Sequence, residues 1–450
     1  MSDEERVGDE MRSGNGGRVE DGRRSDDGRR SEDASPTLRV DEVDFDPVAF
    51  LAEAVRTPSH ETVEEMRELL CAVLDDHDVE ASVVAGGCVL AERSSPAPTA
   101  GPHLVLNTHI DTVTPHVPFE RGFVDGTDGE EPIIRGRGAC DAKGPLAALL
   151  YGFLTAEPER GRLTLAITPD EEVLSLGAAT LMGLLSDDGD RAGAEGRSGG
   201  ADRPDGDRPG SDRLDGDLFL VGEPTGLDAC TAAKGRFQGT VGLAGEAAHA
   251  AEFAGANAIA AAEGALRAIR TFDDDAETHP QLGDPKLTPT LVEGGSASNQ
   301  VPAECAITVD RRSVPPETAE GFRDALAGAV RAETPADVDV AVELTERESP
   351  FFEAFATDPD HEFVGTVASA ADEGAAAAGV PSDRGGDVRP FGAATEASYF
   401  APAPTVVFGP GDLADGTGPV AHAEREYVRV REVEAAAVAV ERIIDRTLSS

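Results

Sequence analysis

The sequence predicts an α/β fold, with a mainly parallel central sheet, helices on both faces and an inserted α+β lid. Three observations carry this. Short apolar runs rich in Leu, Val and Ile, such as LVLNT (104–108), TLAIT (164–168), LFLVG (218–222) and TVVFG (405–409), read as strands buried on both faces. Helical patterns alternate with them, as a parallel sheet with crossover helices requires. From about Gly235 the texture changes to a compact unit of strands and amphipathic helices, and the first pattern then resumes, as an insertion would produce.

Taken in order, residues 1–40 repeat Asp, Glu, Arg, Gly and Ser with hardly any apolar side chains. Such a tract buries too little surface to offset chain entropy and is expected to be a disordered acidic tail. Helices are predicted over Pro47–Arg56 and Glu61–Asp76, followed by strands at SVVAG and LVLNT. A third helix opens at Gly144-Pro145, where proline suits the first turn. Strand TLAIT, helix GAATLMGLL and strand LFLVG follow, interrupted by an acidic stretch at 187–217 that reads as a disordered surface loop. The larger domain is thus assigned to 41–234 and 346–450, and the lid to 235–345. Within the lid, strands are expected at GTVGLAG, KLTPTLVEG, ECAITVDRR and DVDVAVEL, with helices at GANAIAAAEGALRAI and AEGFRDALAGAV. Helices near 363–378 and through EVEAAAVAVERII close the chain.

Two domains suit 450 residues, since single cores stop growing near ~250–300. The formal net charge is -47, and of 39 basic residues only Lys143, Lys234 and Lys286 are lysines. Charge of that sign and size argues against nucleic acid or an anionic membrane as partner. Its spread along the whole chain points to the acidic surface of an extreme halophile, whose fold weakens when salt no longer screens the repulsion. The five cysteines, Cys71, Cys88, Cys140, Cys230 and Cys305, form no disulfide framework or CxxC knuckle, which suits a reducing cytoplasm. No signal peptide or membrane-spanning run is legible.

The chemistry gathers where apolar runs give out. His109 follows HLVLNT, the pair Glu171-Glu172 follows RLTLAITPD, and Glu223 follows DLFLVG. Asp141 sits in the turn GRGACDAKG, and His422 trails APTVVFGPG. Ligands collect beyond the carboxyl ends of parallel strands, so these residues can converge. Two imidazoles and three carboxylates, one of them bridging, are what a pair of zinc ions needs, with one glutamate to spare as general base. Asp111, two residues after His109, is placed to fix the imidazole tautomer. Adjacent carboxylates beside a core repel unless a cation compensates, so Glu172 is read as a ligand and Glu171 as the base. Taken singly, each has an ordinary alternative: Asp141 as a helix cap, Glu223 as a turn acid, His422 as a surface histidine.

The segments LNTHIDTV, GRGACDAKGPLAA, ITPDEE, VGEPTGLDACTAAKG, GEAAHAAEFAGANAI, SASNQVPAECAITVDRR and VVFGPGDLADGTGPVAHAEREYV resemble, in order and spacing, the zinc-dependent aminoacylase and carboxypeptidase family that includes acetylornithine deacetylase, succinyl-diaminopimelate desuccinylase and the glutamate carboxypeptidases. The resemblance covers Asp41 to the end of the chain. It implies two zinc ions, with cobalt or manganese as substitutes: His109 and Glu223 on one, Glu172 and His422 on the other, Asp141 on both. It implies Glu171 as base, Asp111 as orienting residue, and His249 as a lid histidine that reaches an active site, often the neighbouring subunit's, to polarise the scissile carbonyl. Asn299 and Arg312 match lid positions that contact substrate, and Arg312 is chosen over Arg311 on its spacing from Pro302. A homodimer through the lid is implied as well.

The stretch ATEASYF is most similar to acetylornithine deacetylase, which favours a small N-acyl amino acid, N-acetylornithine first, as substrate and amino-acid biosynthesis as context. The chain departs from that enzyme in lacking a tryptophan after the His-x-Asp segment. Succinyl-diaminopimelate desuccinylase, a carrier-protein-linked lysine or ornithine hydrolase, a dipeptidase or carboxypeptidase of the same family, and a non-catalytic binding homologue are the alternatives.

Overall fold

The computed structural model describes residues 44–126, 129–185, 213–382 and 384–449. The acidic tail expected at 1–40 and most of the loop expected at 187–217 lie outside them. The described residues belong to one compact unit, Val43–Ser450.

Its central sheet is built from β1 (Ala81–Val83), β2 (Val89–Ser94), β3 (His103–His109), β4 (Arg162–Thr168), β5 (Leu218–Gly222), β6 (Ala229–Ala233) and, far along the chain, Thr405–Phe408. Spatial order is β1-β2-β4-β3-β5, then Thr405–Phe408, then β6, with the short strands Phe355–Ala356 and Val388–Pro390 on β6. The middle pairs, β3 with β4, β3 with β5 and β5 with Thr405–Phe408, are parallel. The flanks β1-β2-β4 are antiparallel. Strand β2, between β1 and β4, escapes the sequence reading because VLAERS is polar at its outer end. The reading also misses the hairpin Glu120–Gly126 and Gly129–Arg135, whose first strand is largely exposed and carries no apolar run.

Alternation along each parallel strand distributes side chains to two cores. Leu104, Leu106, Leu163, Leu165 and Leu220 enter one with α1 (Pro47–Arg56), α2 (Glu64–Asp76), α3 (Lys143–Thr155), α7 (Glu362–Ala378) and α8 (Val430–Leu448). Val105, Ala166, Phe219 and Val221 enter the other with α4 (Leu176–Leu181) and Phe400. Burial on both faces is why these strands read as continuous apolar runs.

The residues expected to form the lid make a separate four-stranded antiparallel sheet. With β7 (Gly235–Ala244), β8 (Lys286–Gly294), β9 (Glu304–Ser313) and β10 (Asp339–Leu344), its order is β8-β9-β7-β10. Helices α5 (Ala258–Arg270) and α6 (Ala319–Glu333) cover one face and enclose a core of their own around Phe237, Ile307 and Phe322. Strand β8 is an edge that leaves Leu291 and Val292 about half exposed. Two segments return the chain to the central sheet, and Arg236 N donates to Phe352 O (2.9 Å) where they meet.

Close helix packing holds the first core. A Cβ at Gly374 in α7 would lie 2.3 Å from Ala435 O of α8, whereas one at Gly365 in the same helix would meet nothing within 4 Å. Gly374→Val is therefore expected to cost about 1–3 kcal/mol by forcing α7 off α8. Gly365→Ala should be neutral or stabilising by up to about 1 kcal/mol. Denaturant melts of both variants check the order, and equal midpoints would contradict it.

Candidate metal centre

The parallel strands bring their carboxyl ends to one edge of the sheet, and the expected residues meet there. His109 is the last residue of β3, the Glu171-Glu172 turn follows β4, and Glu223 follows β5. His422 lies in the loop after Thr405–Phe408, in the left-handed region at φ 62°. A non-glycine residue held there is often found where a site constrains the backbone.

Asp111 organises two of these elements. Its Oδ1 lies 3.2 Å from His109 Nδ1, and its two oxygens accept the backbone N–H groups of Glu171 and Glu172, both at 3.0 Å. The imidazole is thereby fixed with Nε2 outward, 3.2 Å from Asp141 Oδ1. On the other side of Asp141, His422 Nε2 lies 3.2 Å from Oδ2 and 2.9 Å from Glu172 Oε1. Glu223 Oε1 accepts the Thr395 hydroxyl at 3.0 Å. Two triads result, His109–Asp141–Glu223 and Asp141–Glu172–His422, each with donor atoms within 4.8 Å of one another and with Asp141 common to both.

Among themselves the side chains of the cluster form an acid site with too few cations to compensate it. Burial, then Glu223, hold Glu171 well above the ordinary carboxylate range. Burial, then Asp141, push Glu223 up to about 8. Burial raises Glu172 too, against the pull of His422. Asp141 goes the other way: burial acts to raise it, but the His109 and His422 imidazoles on either side hold it below its usual value. Hydrogen bonds to Asp141 and Glu172 lift His422 to about 10. The imidazoles thus act as the cations of the cluster. Divalent ions in the two triads would replace those protons and let all the carboxylates ionise. Nitrogen and oxygen donors without thiolate suit zinc, cobalt or manganese.

The sequence reading misses the supports beneath these residues. Glu426, fully buried, accepts the N–H groups of Cys140 and Asp141 at 3.1 Å and pairs with Arg137 at 2.6 Å. Arg137 also donates to His422 O at 3.4 Å, so this ion pair ties the Asp141 turn to the His422 loop. No local signal marks Glu426 or Arg137 in the sequence, since both stand among other charged residues. Glu396, from the ATEASYF stretch, lies in the core behind the site, accepting from Thr168 and Asn107, and does not line the cavity.

That cavity, about 620 Å³, lies between the triads and the inner side of the lid sheet. Asp141, Glu171, Glu172, Glu223 and His422 line its floor, and Arg312 lines it opposite. Arg311, its neighbour, is locked between Asp273 and Glu317 at 2.6 and 2.8 Å and is 3% exposed. His249 and Asn299 are not in the cavity. His249 ends the short strand Ala248–His249, and Asn299 is exposed in the turn before its antiparallel partner Gln300–Val301, with Ala250 N donating to Asn299 O at 2.9 Å.

A pair of carboxylate–imidazole triads at the ends of parallel strands, beneath a lid, marks a metal-dependent hydrolase of amide bonds. The sequence profile of peptidase family M20/M25/M40 matches residues 105–446, and the chain belongs to that family. It is 28% identical over 278 residues to a protein of Pyrobaculum aerophilum named as a LysW-lysine/LysW-ornithine hydrolase, covering 62% of this chain and 69% of that one. It is 29% identical over 342 residues to the acetylornithine deacetylase of Myxococcus xanthus, covering 73% and 76%. Among solved structures, the Bacillus subtilis protein YXEP, described as a dinuclear metal-binding peptidase, shares the fold with a TM-score of 0.56 at 14% identity, over 89% of this chain and 97% of that one. No helix among the described residues is long and apolar enough to cross a membrane.

Metal analysis after dialysis tests the triads. The wild-type chain should hold about two divalent ions, His422→Ala about one, and Asp141→Ala less than one, since only Asp141 serves both triads. Equal content in His422→Ala and Asp141→Ala would remove Asp141 from the bridging role.

Proposed function

We propose that the protein hydrolyses the amide bond of an N-acyl amino acid, using His109, Asp141 and Glu223 to hold one divalent ion, and Asp141, Glu172 and His422 to hold a second. The observation that carries this reading is the shared Asp141 with a spare carboxylate, Glu171, on the same cavity floor as both triads. Two bound cations would supply positive charge that makes water more acidic and draws electron density from the acyl oxygen. Glu171, unligated and held by burial and its acidic neighbours at high proton affinity, takes the proton of the attacking water and delivers it to the leaving nitrogen. Asp111 keeps the His109 ring and the Glu171-Glu172 backbone in register through that transfer. Arg312, across the cavity, is suited to the free carboxylate of the amino acid, because its guanidinium presents a planar fork.

N-acetylornithine is the first substrate to assay, on the likeness to the Myxococcus deacetylase and the ATEASYF stretch. A cytoplasmic role in amino-acid biosynthesis and an environment of high salt belong to the same reading. We also assign His249 and Asn299 to the active site of a second copy, in a homodimer formed through the lid. Their exposure outside the cavity supports this, as do the exposed Leu291 and Val292 on edge strand β8 and Ile259 on α5.

Two measurements bear on these assignments. Glu171→Gln should keep both ions while hydrolysis falls roughly a hundred- to ten-thousandfold; undiminished turnover would exclude Glu171 as the base. Mixing His249→Ala chains with Glu171→Gln chains, each inactive alone, should restore roughly a quarter of wild-type activity, because mixed dimers carry one site with both residues intact. Mixtures as inactive as their components would place His249 outside any shared site.

A further inference from the structure

Above the acidic floor, the cavity has a second charged wall on the segments that join lid and central sheet. Arg236 begins β7, Arg312 ends β9, and Arg347 lies on the returning segment. Arg312 Nε donates to Asp310 at 2.8 Å, and Arg236 Nε lies 3.6 Å from the other oxygen of Asp310. One carboxylate thus serves two guanidiniums and leaves a single positive charge.

Arg347 supplies another. Its guanidinium packs over the rings of Phe351 and Phe352, 5.1 and 5.7 Å from their centroids, and donates to Ser349 Oγ at 2.8 Å and to Leu174 O at 3.4 Å. None of these partners is charged. No carboxylate pairs with it among the described residues, and its buried Nε has no hydrogen-bond partner. Glu346, the acid beside it on the cavity wall, is exposed and is joined to Arg347 by no ion pair among the described residues. Holding a guanidinium half-buried, stacked and unpaired is costly unless a ligand completes it. Planar, doubly accepting groups are what a fixed guanidinium recognises.

We infer that Arg347 binds a second carboxylate of the substrate, so that the preferred substrates are N-acyl amino acids with two carboxylates: one for Arg312 and Arg236, the other for Arg347. This rests on the reading of the site as an N-acyl amino acid hydrolase. The second carboxylate belongs either to the amino-acid side chain or to the acyl group. Phe351, Phe352 and Phe391 line the space between and suit a short methylene chain. Arg347 touches the backbone of the turn that carries Glu171 and Glu172, through Leu174 O, so an occupied Arg347 also borders the catalytic turn.

Two matched substrate pairs separate the sources. N-acetylglutamate against N-acetylglutamine places the extra charge on the side chain, and N-succinylornithine against N-acetylornithine places it on the acyl group. At fixed salt, kcat/KM is expected to favour the charged member of at least one pair by about tenfold or more, with most of the effect in KM. Arg347→Gln should abolish that preference, and Arg347→Lys, which keeps the charge and most of the stem, should keep part of it. Calorimetric binding of the same compounds to the metal-loaded Glu171→Gln chain should show the same ratios without turnover. Equal handling within both pairs, or a preference that survives Arg347→Gln, overturns the inference while leaving the hydrolase reading intact. If all four compounds bind but none is cleaved by the wild-type chain, the hydrolase reading fails while the ratios in binding still decide the role of Arg347.

Discussion

Everything at the carboxyl edge of the sheet answers to one constraint: more buried carboxylates meet there than protein groups can neutralise. Asp141, Glu171, Glu172 and Glu223 face one another across a few ångströms, with Glu396 and Glu426 directly behind. Only two imidazoles stand against the front four. Burial drives Glu223 and Glu396 up to about 8 and about 7, which cations in the two triads would reverse. A purely structural site would not concentrate acids in this way, because each adds a desolvation cost that nothing repays. The rigid parallel strands allow the crowding: they fix the backbone from which His109, Glu171, Glu172 and Glu223 project, and Asp111 and Glu426 take up the N–H groups of the turns between.

This division of labour explains what could be read from the chain. The parallel strands are legible because both faces are buried, and His109, Glu171, Glu172 and Glu223 because they follow the ends of such runs, whereas Asp141 and His422 sit in turns away from them. The lid elements were legible through their longer periodicity, with KLTPTLVEG matching β8 at both ends. What was lost has little local signature. Strand β2 gains its place by pairing with β4, and the hairpin at 120–135 by pairing with Tyr427–Arg429, almost 300 residues later; neither needs a hydrophobic run. Glu426 and Arg137 look like ordinary charged residues until the fold closes them into an ion pair at 2.6 Å. Glu396 shows the converse: a residue of a stretch that signals the family need not line the cavity, and this one supports the β4 end from behind while Ala394 of the same stretch lines it.

The choice between Arg311 and Arg312 is a case where structure adds a reason that spacing lacked. Adjacent residues on a strand face opposite ways. One of the two arginines therefore had to point into the lid core and the other into the cavity. Asp273 and Glu317 claim Arg311, and its guanidinium sits near the rings of Phe272 and Phe322, at 5.2 and 5.4 Å. Among the described residues Arg312 is left with only the shared Asp310, which is the condition of a side chain free to exchange partners.

The same contrast applies to the molecule at large. A chain of net charge -47 repels anions at a distance, and a ligand with free carboxylates would approach against that field. Salt shortens the reach of the repulsion to about 3 Å at 1 M, so that steering is lost and direct contact decides. Under those conditions a guanidinium works better the more it is desolvated and pre-aligned, because exposure brings screening. Arg347, stacked on Phe351 and Phe352 with Nε cut off from water, meets that requirement. The segment carrying Phe351 and Phe352 would do for a bound anion what Asp111 and Glu426 do for the acidic floor: it fixes a charge in a place where bulk solvent cannot answer it.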